Sequence, residues 1–314
     1  MRRIIRKIRL ELRENYYARM FSKKGSKKLD KAKPIYYIIR RKPRSGGFFS
    51  NYIYVLGHIV YAVEQGLYPV VDMEHYATFY SEKQPVEGTR NAWEYYFKQP
   101  SGTSLRDAYR SGNYILSEDA MQKEGIRFLD EQYYGADREA VAFYSGFIRK
   151  YIPFRESLQA ILTETERKLG IDARNTLGVH YRGTDMKAGS FEGHLKTSAL
   201  DAYLEKVDAC LSQFPELTGI FLATDEEAAV EKFKNRYGEM VCCSEGYRAQ
   251  GEQAEGIHYA GGNGRSLHAY RMGLEVCVDV HALSACHTLI CGHSNVATAA
   301  ILWNENRYKE IWVI

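Results

Sequence analysis

Short apolar runs alternate with longer amphipathic segments through the C-terminal half of the chain. The apolar runs lie at 177–182, 219–224, 239–243, 287–293 and 311–314. The stretches between them carry apolar residues at helical spacing, near 198–213, 225–237, 268–285 and 294–304. Short apolar runs that are bounded by turns are typical of buried parallel strands. Five strands that alternate with helices predict a doubly wound, nucleotide-binding type of α/β domain.

The N-terminal half opens with a shorter version of this pattern. Residues 35–39 predict a strand, residues 52–66 have helical periodicity, and residues 68–73 predict the next strand. Such a β-loop-α-β unit implies a parallel sheet. Residues 74–135 are aromatic and turn-rich, which predicts short helices and loops that border a cleft. Further helices are predicted near 137–150 and 154–169.

Polar residues follow three of the predicted C-terminal strands at the point where each strand ends. The first tip carries Arg182, the second carries Asp225, and the third carries Ser294 and Asn295 at the start of a helix. Ligands of open α/β sheets bind outside the carboxyl ends of the strands, where these tips would meet. Arginine and helix N-termini both favour phosphate. The combination suits a nucleotide diphosphate. Arg182 taken alone is explained equally well by an ion pair with an aspartate that stabilises the turn after the strand.

The chain offers few other groups for holding a diphosphate. No neighbouring carboxylate pair accompanies the three tips to bind a divalent ion, so we predict neither a metal nor a cofactor. Gly46 and Gly47 precede the first predicted helix and would let backbone N–H groups face an anion. This glycine loop is a weak signal, because it matches neither the dinucleotide fingerprint nor the P-loop.

Three C-terminal motifs resemble those of a known superfamily. HYRGTD at 180–185, FLATDEE at 221–227 and VDVHALSACHTLICGHSNVA at 278–297 are similar, in order and spacing, to the motifs of the α-1,6-, α-1,2- and protein O-fucosyltransferases. The similarity extends roughly over 177–303 and is weaker in the N-terminal half. The resemblance implies a GT-B-like fold, that is, two Rossmann-like α/β domains with a cleft between them. It also implies inverting, metal-independent transfer from GDP-fucose.

The resemblance implies roles for individual residues. His180 matches the histidine near the guanosine, and Arg182 matches the essential arginine on the β-phosphate of the donor. Asp225 matches the acid that recognises guanine, while Ser294 and Asn295 lie where polar residues hold the diphosphate. A core or turn histidine is the alternative for His180, and a plain helix cap is the alternative for Asp225.

The motifs leave the general base open. A general base must reach the acceptor hydroxyl, and Asp185, Glu192 and His194 are all near enough in sequence; we take Asp185 and His194 as catalytic candidates beside the arginine. Many members of the superfamily carry a second arginine where this chain has Gly183, so some donor contacts must differ. Asp279 matches a motif acid with a structural role.

A glycine-rich loop is predicted at 247–264. Tyr247, Arg248 and Arg265, within or beside this loop, could touch the donor or form a lid, although a mobile surface loop is the simpler expectation.

Charge is unevenly distributed over the 314 residues. Residues 1–44 contain 17 Lys and Arg against 3 Asp and Glu, whereas the remainder contains 26 basic and 36 acidic residues. Residues 1–20 have the spacing of a short basic amphipathic helix, and residues 22–33 are a lysine-rich linker. Such an arm could rest on an anionic membrane leaflet, and a solvated arm explains the charge equally well. Nucleic-acid binding is a further alternative without a recognisable motif.

The overall composition is that of an ordinary globular protein, with 45% hydrophobic and 26% charged residues. No apolar run approaches the roughly 18 residues of a membrane span, and no secretory signal is visible. The six cysteines lack metal-site and CxxC spacing, which predicts buried free thiols. We therefore predict a cytoplasmic protein, with peripheral attachment to the inner membrane as an open alternative.

Three segments follow from these patterns: a basic arm at 1–34, an acceptor-side α/β domain at 35–165 and a nucleotide-sugar-binding domain at 166–314. The predicted function is an inverting, metal-independent glycosyltransferase that moves a sugar, first of all fucose from GDP-fucose, onto a glycan or lipid-linked saccharide. The alternatives are a glycosyltransferase with another nucleotide-sugar donor and a non-catalytic nucleotide- or glycan-binding module of the same fold.

Overall fold

The chain divides into two compact units in the residues that the structure, a computed structural model, describes: 28–117, 137–183, 200–249 and 264–314. The first unit holds residues 28–117 together with Phe147–Arg155, and the second unit holds the other described residues. Residues 137–146 and 156–165 therefore group with the C-terminal sheet, whereas the predicted boundary placed them in the N-terminal domain. The predicted amphipathic helix at 1–20 lies outside the described residues.

A parallel sheet organises the first unit. Its strands are β1, Tyr36–Ile39, β2, Tyr68–Val71, and β3, Tyr114–Leu116, in the order β2-β1-β3. The first two strands match the prediction. The third is a correction, because residues 74–135 were predicted to form only short helices and loops. A three-residue strand shows no periodicity of its own, and this one is defined by its pairing with β1.

The helix that follows β1, α1, spans Phe48–Glu64 and begins before the predicted start at residue 52. Its first turn is fixed by aromatic contacts that periodicity does not reveal. The Phe48 N–H donates to the Tyr80 hydroxyl at 2.9 Å, and the two rings pack edge to face, 5.1 Å apart. The Phe48 ring meets the Tyr96 ring in the same way, at 4.9 Å. A 3-10 helix at Ala92–Tyr95 and the helix α2, Leu105–Arg110, lie between β2 and β3.

A second parallel sheet organises the second unit. Its strands are β4, Thr176–Tyr181, β5, Gly219–Thr224, β6, Val241–Cys242, β7, Thr288–Cys291, and β8, Ile311–Val313. Their order is β6-β5-β4-β7-β8, and every neighbouring pair is parallel. Every residue of β4 is buried, as expected for a central strand that is covered on both faces. All five predicted strands are present, and β6 is shorter than predicted.

Helices alternate with these strands as predicted. They are α3, Arg138–Tyr151, α4, Glu156–Leu169, α5, Leu200–Gln213, α6, Glu227–Tyr237, α7, His268–Ser284, and α8, Asn295–Asn304. The predicted α/β class is thus confirmed in both units. The last residues of α3 are grouped with the first unit.

The central strand β4 approaches the end of α7 closely at Gly178. A Cβ atom on Gly178 would lie 3.2 Å from the Sγ atom of Cys286 and 3.3 Å from Cδ2 of Leu283. Added volume at such a contact is poorly tolerated, because protein cores are already close-packed. Glycine therefore allows α7 to lie directly against the strand whose end carries Arg182.

The six cysteines are free thiols, as predicted: Cys210, Cys242, Cys243, Cys277, Cys286 and Cys291. Burial raises the pKa of Cys277, Cys286 and Cys291, so these three thiols are neutral and serve as small apolar side chains. In the described ranges, no helix combines the length and the apolar character that crossing a membrane requires.

Candidate functional site

The three polar strand ends lie side by side at the carboxyl edge of the second sheet. The central strand β4 pairs with β5 on one side, with Tyr181 opposite Thr224, and with β7 on the other, with His180 opposite Cys291. The residues that follow these positions therefore emerge on one edge. This arrangement brings Arg182, Asp225, Ser294 and Asn295 to neighbouring strand ends, as the sequence predicted.

Asp225 connects the first two strand ends. Its Oδ1 atom accepts a hydrogen bond of 2.9 Å from the backbone N–H of Gly183. The alternative role of Asp225 as a helix cap is wrong: the N-cap residue of α6 is Glu226, and its side chain makes no capping hydrogen bond. The carboxylate of Asp225 is turned toward Gly183 instead, across the boundary between the two strands.

Gly183 occupies a position where a side chain would meet Glu226. A Cβ atom added to Gly183 would collide with the carboxylate of Glu226. In this chain the Glu226 carboxylate therefore occupies the space beside Gly183.

The other side of the edge favours anions. Ser294 caps α8: its Oγ atom accepts a hydrogen bond of 3.0 Å from the Ala297 N–H. The N–H groups of Asn295 and Val296 donate no hydrogen bond to any residue that the structure describes. The first turn of α8 has no acidic residue, whereas α6 begins with Glu227, whose N–H is already bonded to the Ala249 carbonyl. The start of α8 is therefore the better anion-binding helix terminus.

His180 joins the first strand end to the third. Its Nδ1 atom lies 3.3 Å from the Ser294 Oγ, and the side chain is buried. Burial and the positive charge of Arg182 lower the pKa of His180 to about 3. The imidazole is therefore neutral at physiological pH. It can donate or accept a hydrogen bond, but it brings no charge to a phosphate.

A partly buried acidic network lies next to the β5 end. The Ser244 hydroxyl, just after β6, donates to Asp279 Oδ1 at 2.5 Å, and the Arg248 guanidinium donates to the Ser244 carbonyl at 2.6 Å. The pKa of Asp279 is raised to about 6, chiefly by burial; the charges of Glu275 and Asp225 also raise it, and the Ser244 hydrogen bond and the charge of Arg248 lower it. Asp279 thus belongs to a hydrogen-bonded network with Ser244, and its structural role stays a prediction.

Tyr247, Arg248 and Arg265 are half-buried in the described part of the predicted surface loop. Arg265 forms an ion pair with Glu275 of α7, and the Tyr247 N–H donates to the same carboxylate at 3.2 Å. These contacts link Tyr247 and Arg265 to α7. Residues 250–263 lie outside the described residues.

The other predicted site residues are not among the strand-end residues that the structure describes. Asp185, Glu192 and His194 are outside the described residues. Gly46 and Gly47 belong to the first unit, at the start of α1. Gly46 has a φ of +74° and would place a Cβ atom 2.7 Å from the Ser50 Oγ, so glycine is required there.

The glycine loop turns its carbonyl groups toward α1. Asn51 donates its side-chain amide to the Gly46 and Gly47 oxygens, at 3.3 Å and 3.1 Å. The N–H groups of the two glycines make no hydrogen bond with the described residues. Their role as donors to an anion stays a prediction.

Sequence reasoning missed Glu226 and Ser244. Because Glu226 directly follows Asp225, its position at the strand end could be read from the sequence. Its contact with Gly183 could not, since that contact depends on the pairing of β4 with β5. Ser244 follows β6 by two residues and could have been found as a fourth polar strand end. No group of three or more His, Cys, Asp or Glu side chains is placed to hold a metal ion in the parts of the chain that are described.

Comparison with solved structures identifies the fold. NodZ α-1,6-fucosyltransferase co-crystallised with GDP is similar to this chain with a TM-score of 0.53 and 15% identity, over 85% of this chain and 92% of NodZ. The fucosyltransferase NodZ from Bradyrhizobium has a TM-score of 0.50 at 14% identity, with the same coverage. POFUT1 in complex with GDP has a TM-score of 0.50 at 9% identity, over 90% of this chain and 98% of POFUT1. This chain has the fold of these fucosyltransferases.

The expected GT-B-like α/β fold is therefore confirmed, and the resemblance of the motifs to the fucosyltransferases is confirmed at the level of the fold. No protein-family model and no curated protein sequence matches the chain.

We expect an energetic coupling between Gly183 and Glu226. The substitution Gly183→Ala should lower the free energy of unfolding by about 1 kcal/mol, because the new methyl group displaces the Glu226 carboxylate. In a Glu226→Ala background, Gly183→Ala should lower the free energy of unfolding very little. The difference between the two backgrounds is the coupling energy, which should be about 0.5 kcal/mol or more. Urea denaturation of the four proteins measures the coupling. Gly219→Ala is the control, because a Cβ there meets Thr176 only at 3.7 Å; additive effects of the two changes would contradict the arrangement.

The low pKa of His180 predicts a loss of stability in mild acid. The unfolded chain binds a proton at His180 near pH 6.5, while the folded chain does so only at about 3. The free energy of unfolding should therefore fall as the pH drops below 6.5, by up to about 1.4 kcal/mol per pH unit from this residue. NMR of the imidazole should show no titration of His180 between pH 5 and pH 8. A midpoint near 6.5 would show that the side chain is solvated instead.

Proposed function

We propose that this protein is an inverting, metal-independent glycosyltransferase that transfers fucose from GDP-fucose to a saccharide acceptor. One observation carries the proposal: the ends of β4, β5 and β7 carry an arginine, a carboxylate and the N-terminus of a helix, respectively. All three lie on one edge of a doubly wound sheet. Ligands bind at such edges in open α/β sheets. The fold is that of fucosyltransferases whose structures contain GDP.

The charges along the edge give the donor an orientation. The diphosphate binds on the β4–β7 side, where Arg182 and the N–H groups at the start of α8 supply positive potential and Ser294 and Asn295 supply polar contacts. The guanine binds on the β5 side, where Asp225 accepts from its N–H groups. His180, neutral and held by Ser294, lies between the two and contributes a hydrogen bond near the guanosine rather than a charge.

The reaction is a direct displacement at the anomeric carbon. The acceptor oxygen forms its bond to C1 while the bond between C1 and the β-phosphate oxygen breaks, and the bonding electrons leave with the phosphate. Arg182 stabilises the charge that develops on the departing diphosphate. A base near the first motif, Asp185 or His194, takes the proton of the acceptor hydroxyl. In the first unit, which we propose to be the acceptor side, the N–H groups of Gly46 and Gly47 are donors to an anion.

Replacement of Arg182 tests the proposal directly. The Arg182→Ala protein should release GDP from GDP-fucose at least about 100-fold more slowly than the wild type, because a preorganised charge on the leaving group is worth that much in rate. Release of GDP to water can be followed by liquid chromatography without knowing the acceptor. Addition of EDTA should leave the wild-type rate unchanged.

A matched control is Arg236→Ala, which removes an exposed arginine of α6 that pairs with Asp208. It should retain the wild-type rate and a similar melting temperature. Wild-type protein that binds GDP-fucose and never releases GDP, with or without a mixture of saccharides, would favour a non-catalytic binding module. Faster turnover of a UDP-sugar would identify a different donor.

The basic arm supports a second part of the proposal, which is that residues 1–30 attach the enzyme to an anionic membrane surface that presents a lipid-linked saccharide. Membrane attachment is supported by the charge of residues 1–44, which contain 17 basic and 3 acidic residues. Deletion of residues 1–27 should abolish co-sedimentation with vesicles that contain anionic lipid and leave GDP release intact. Equal sedimentation of the two proteins would reject membrane attachment.

A further inference from the structure

A histidine and a buried carboxylate form a pair at the end of β2 in the first unit. Asp72 directly follows β2 at its carboxyl end, and His75 comes three residues later. The His75 Nδ1 atom lies 2.9 Å from one Asp72 oxygen and 3.1 Å from the other. The His75 backbone N–H donates to the same carboxylate at 2.9 Å. Asp72 therefore fixes both the backbone and the ring of His75.

A third contact holds the carboxylate in place. Asp72 is fully buried, and its Oδ2 atom accepts a hydrogen bond of 2.6 Å from the hydroxyl of Tyr109 in α2. Burial and the charge of Asp72 raise the pKa of Tyr109, so this hydroxyl keeps its proton and stays a donor. A buried carboxylate is costly unless it is hydrogen-bonded, and this one accepts from three donors. With all three groups donating to Asp72, the neutral His75 ring carries its proton on Nδ1 and its lone pair on Nε2.

His75 itself reaches the surface at the carboxyl edge of the first sheet. Its side chain is 21% exposed, whereas that of Asp72 is not exposed at all. The segment after His75 is tied to the glycine loop at 42–47, because the Arg44 N–H donates to the Ala77 carbonyl at 2.9 Å. Ligands of open α/β sheets bind at this edge. The imidazole is thus placed where a ligand of the first unit would bind.

A second histidine–carboxylate pair shows what is particular about the first. The Nε2 atom of His281, in α7, lies 2.8 Å from Oε2 of Glu166, in α4. His281 is as exposed as His75, at 22%, but Glu166 is 40% exposed and the pair joins the sides of two helices. Water competes for an exposed carboxylate and screens its charge, so such a pair has little effect on the imidazole. The carboxylate beside His75 is shielded from water.

The charges around His75 favour a base. Burial alone would lower the pKa of His75, but the hydrogen bond and charge of Asp72, with a smaller contribution from Glu74, raise it above its ordinary value; Arg40 acts in the opposite direction. Tyr109 is the other titratable group against the ring, with its ring centre 5.7 Å away. A general base is most effective when its pKa lies near the working pH. The surroundings of His75 move its pKa in that direction.

We propose that His75, oriented by Asp72, is the general base that deprotonates the acceptor hydroxyl. Nε2 takes the proton while the hydroxyl oxygen forms its bond to C1 of the donor sugar, and the bond from C1 to the β-phosphate oxygen breaks. Asp72 stabilises the imidazolium that results. This inference rests on the proposed glycosyltransferase function. It assigns to His75 the proton that Asp185 or His194 would otherwise take.

Hydrolysis of GDP-fucose by the full chain, from about pH 5 to pH 9, tests this proposal with water as the acceptor. The wild-type rate of GDP release should rise with pH as His75 loses its proton, with a midpoint above 6.5, and then level off. His75→Asn keeps an amide donor near the position of Nδ1 and removes the base. It should slow GDP release about 100-fold and abolish the pH step. The shift in melting temperature with GDP should be unchanged.

Two further variants separate catalysis from a structural role. Asp72→Asn should move the midpoint of the rate, and of the His75 imidazole signals in NMR, to lower pH, because Asp72 raises that pKa. His75→Ala serves if Asp72→Asn fails to fold. Added imidazole should restore part of the His75→Ala rate, which a purely structural histidine would not show. His281→Gln is the matched control and should keep the wild-type rate and pH profile.

Three results would overturn the inference. They are a wild-type rate and pH step in His75→Asn, a loss of GDP binding in that variant, and a His75→Ala rate that imidazole does not restore. A pH step that disappears in Asp185→Asn or His194→Asn and persists in His75→Asn would assign the base to the first motif. Any of these results rejects this inference alone. Wild-type protein that binds GDP but releases none from GDP-fucose would reject the proposed transferase itself.

Discussion

The parallel pairing of β4 between β5 and β7 is the constraint on which the site depends. Because the three strands run in the same direction and in a fixed register, residues that are distant in sequence emerge at one edge. The pairing also creates the local contacts that distinguish the two sides. Asp225 reaches Gly183 across the β4–β5 boundary, and Ser294 reaches His180 across the β4–β7 boundary. A change in register by one residue would separate both pairs.

Charge then divides this edge into two halves. On the β5 side, Glu226 fills the space beside Gly183, and Asp279 has a raised pKa in a partly buried acidic network. On the β7 side, α8 begins without an acidic residue and with N–H groups that no described residue accepts. In the proposed function, the start of α8 gives a nucleotide diphosphate its orientation, because the helix N-terminus attracts phosphate.

Much of the fold and part of the site could be predicted from the sequence. Strands such as 219–224 and helices such as 268–285 were recognisable because apolar periodicity is a local property. The strand ends that carry Arg182 and Asp225 were recognisable because they directly follow those strands. The early start of α1 and the strand β3 could not be predicted, since the first depends on Phe48 packing against distant rings and the second on pairing with β1.

The rest depends on contacts between distant residues. The role of Gly183 depends on where the Glu226 side chain lies, which the sequence does not show. The strand-end rule that identified Arg182 also applies to the first unit, because Arg40 and Asp72 directly follow β1 and β2. In the N-terminal half the apolar runs are shorter, so this signal is weaker there.

The most direct test of the account is the nucleotide preference of the full chain, measured as the shift in melting temperature with GDP, ADP and UDP. A ligand present at 100 times its Kd stabilises the folded state by about 2.7 kcal/mol. GDP should therefore raise the melting temperature by several degrees, and ADP and UDP should raise it little. Arg182→Ala should reduce the shift with GDP. Equal or greater stabilisation by UDP or ADP, or no response to any of the three, would contradict the assignment of this edge to a GDP-sugar.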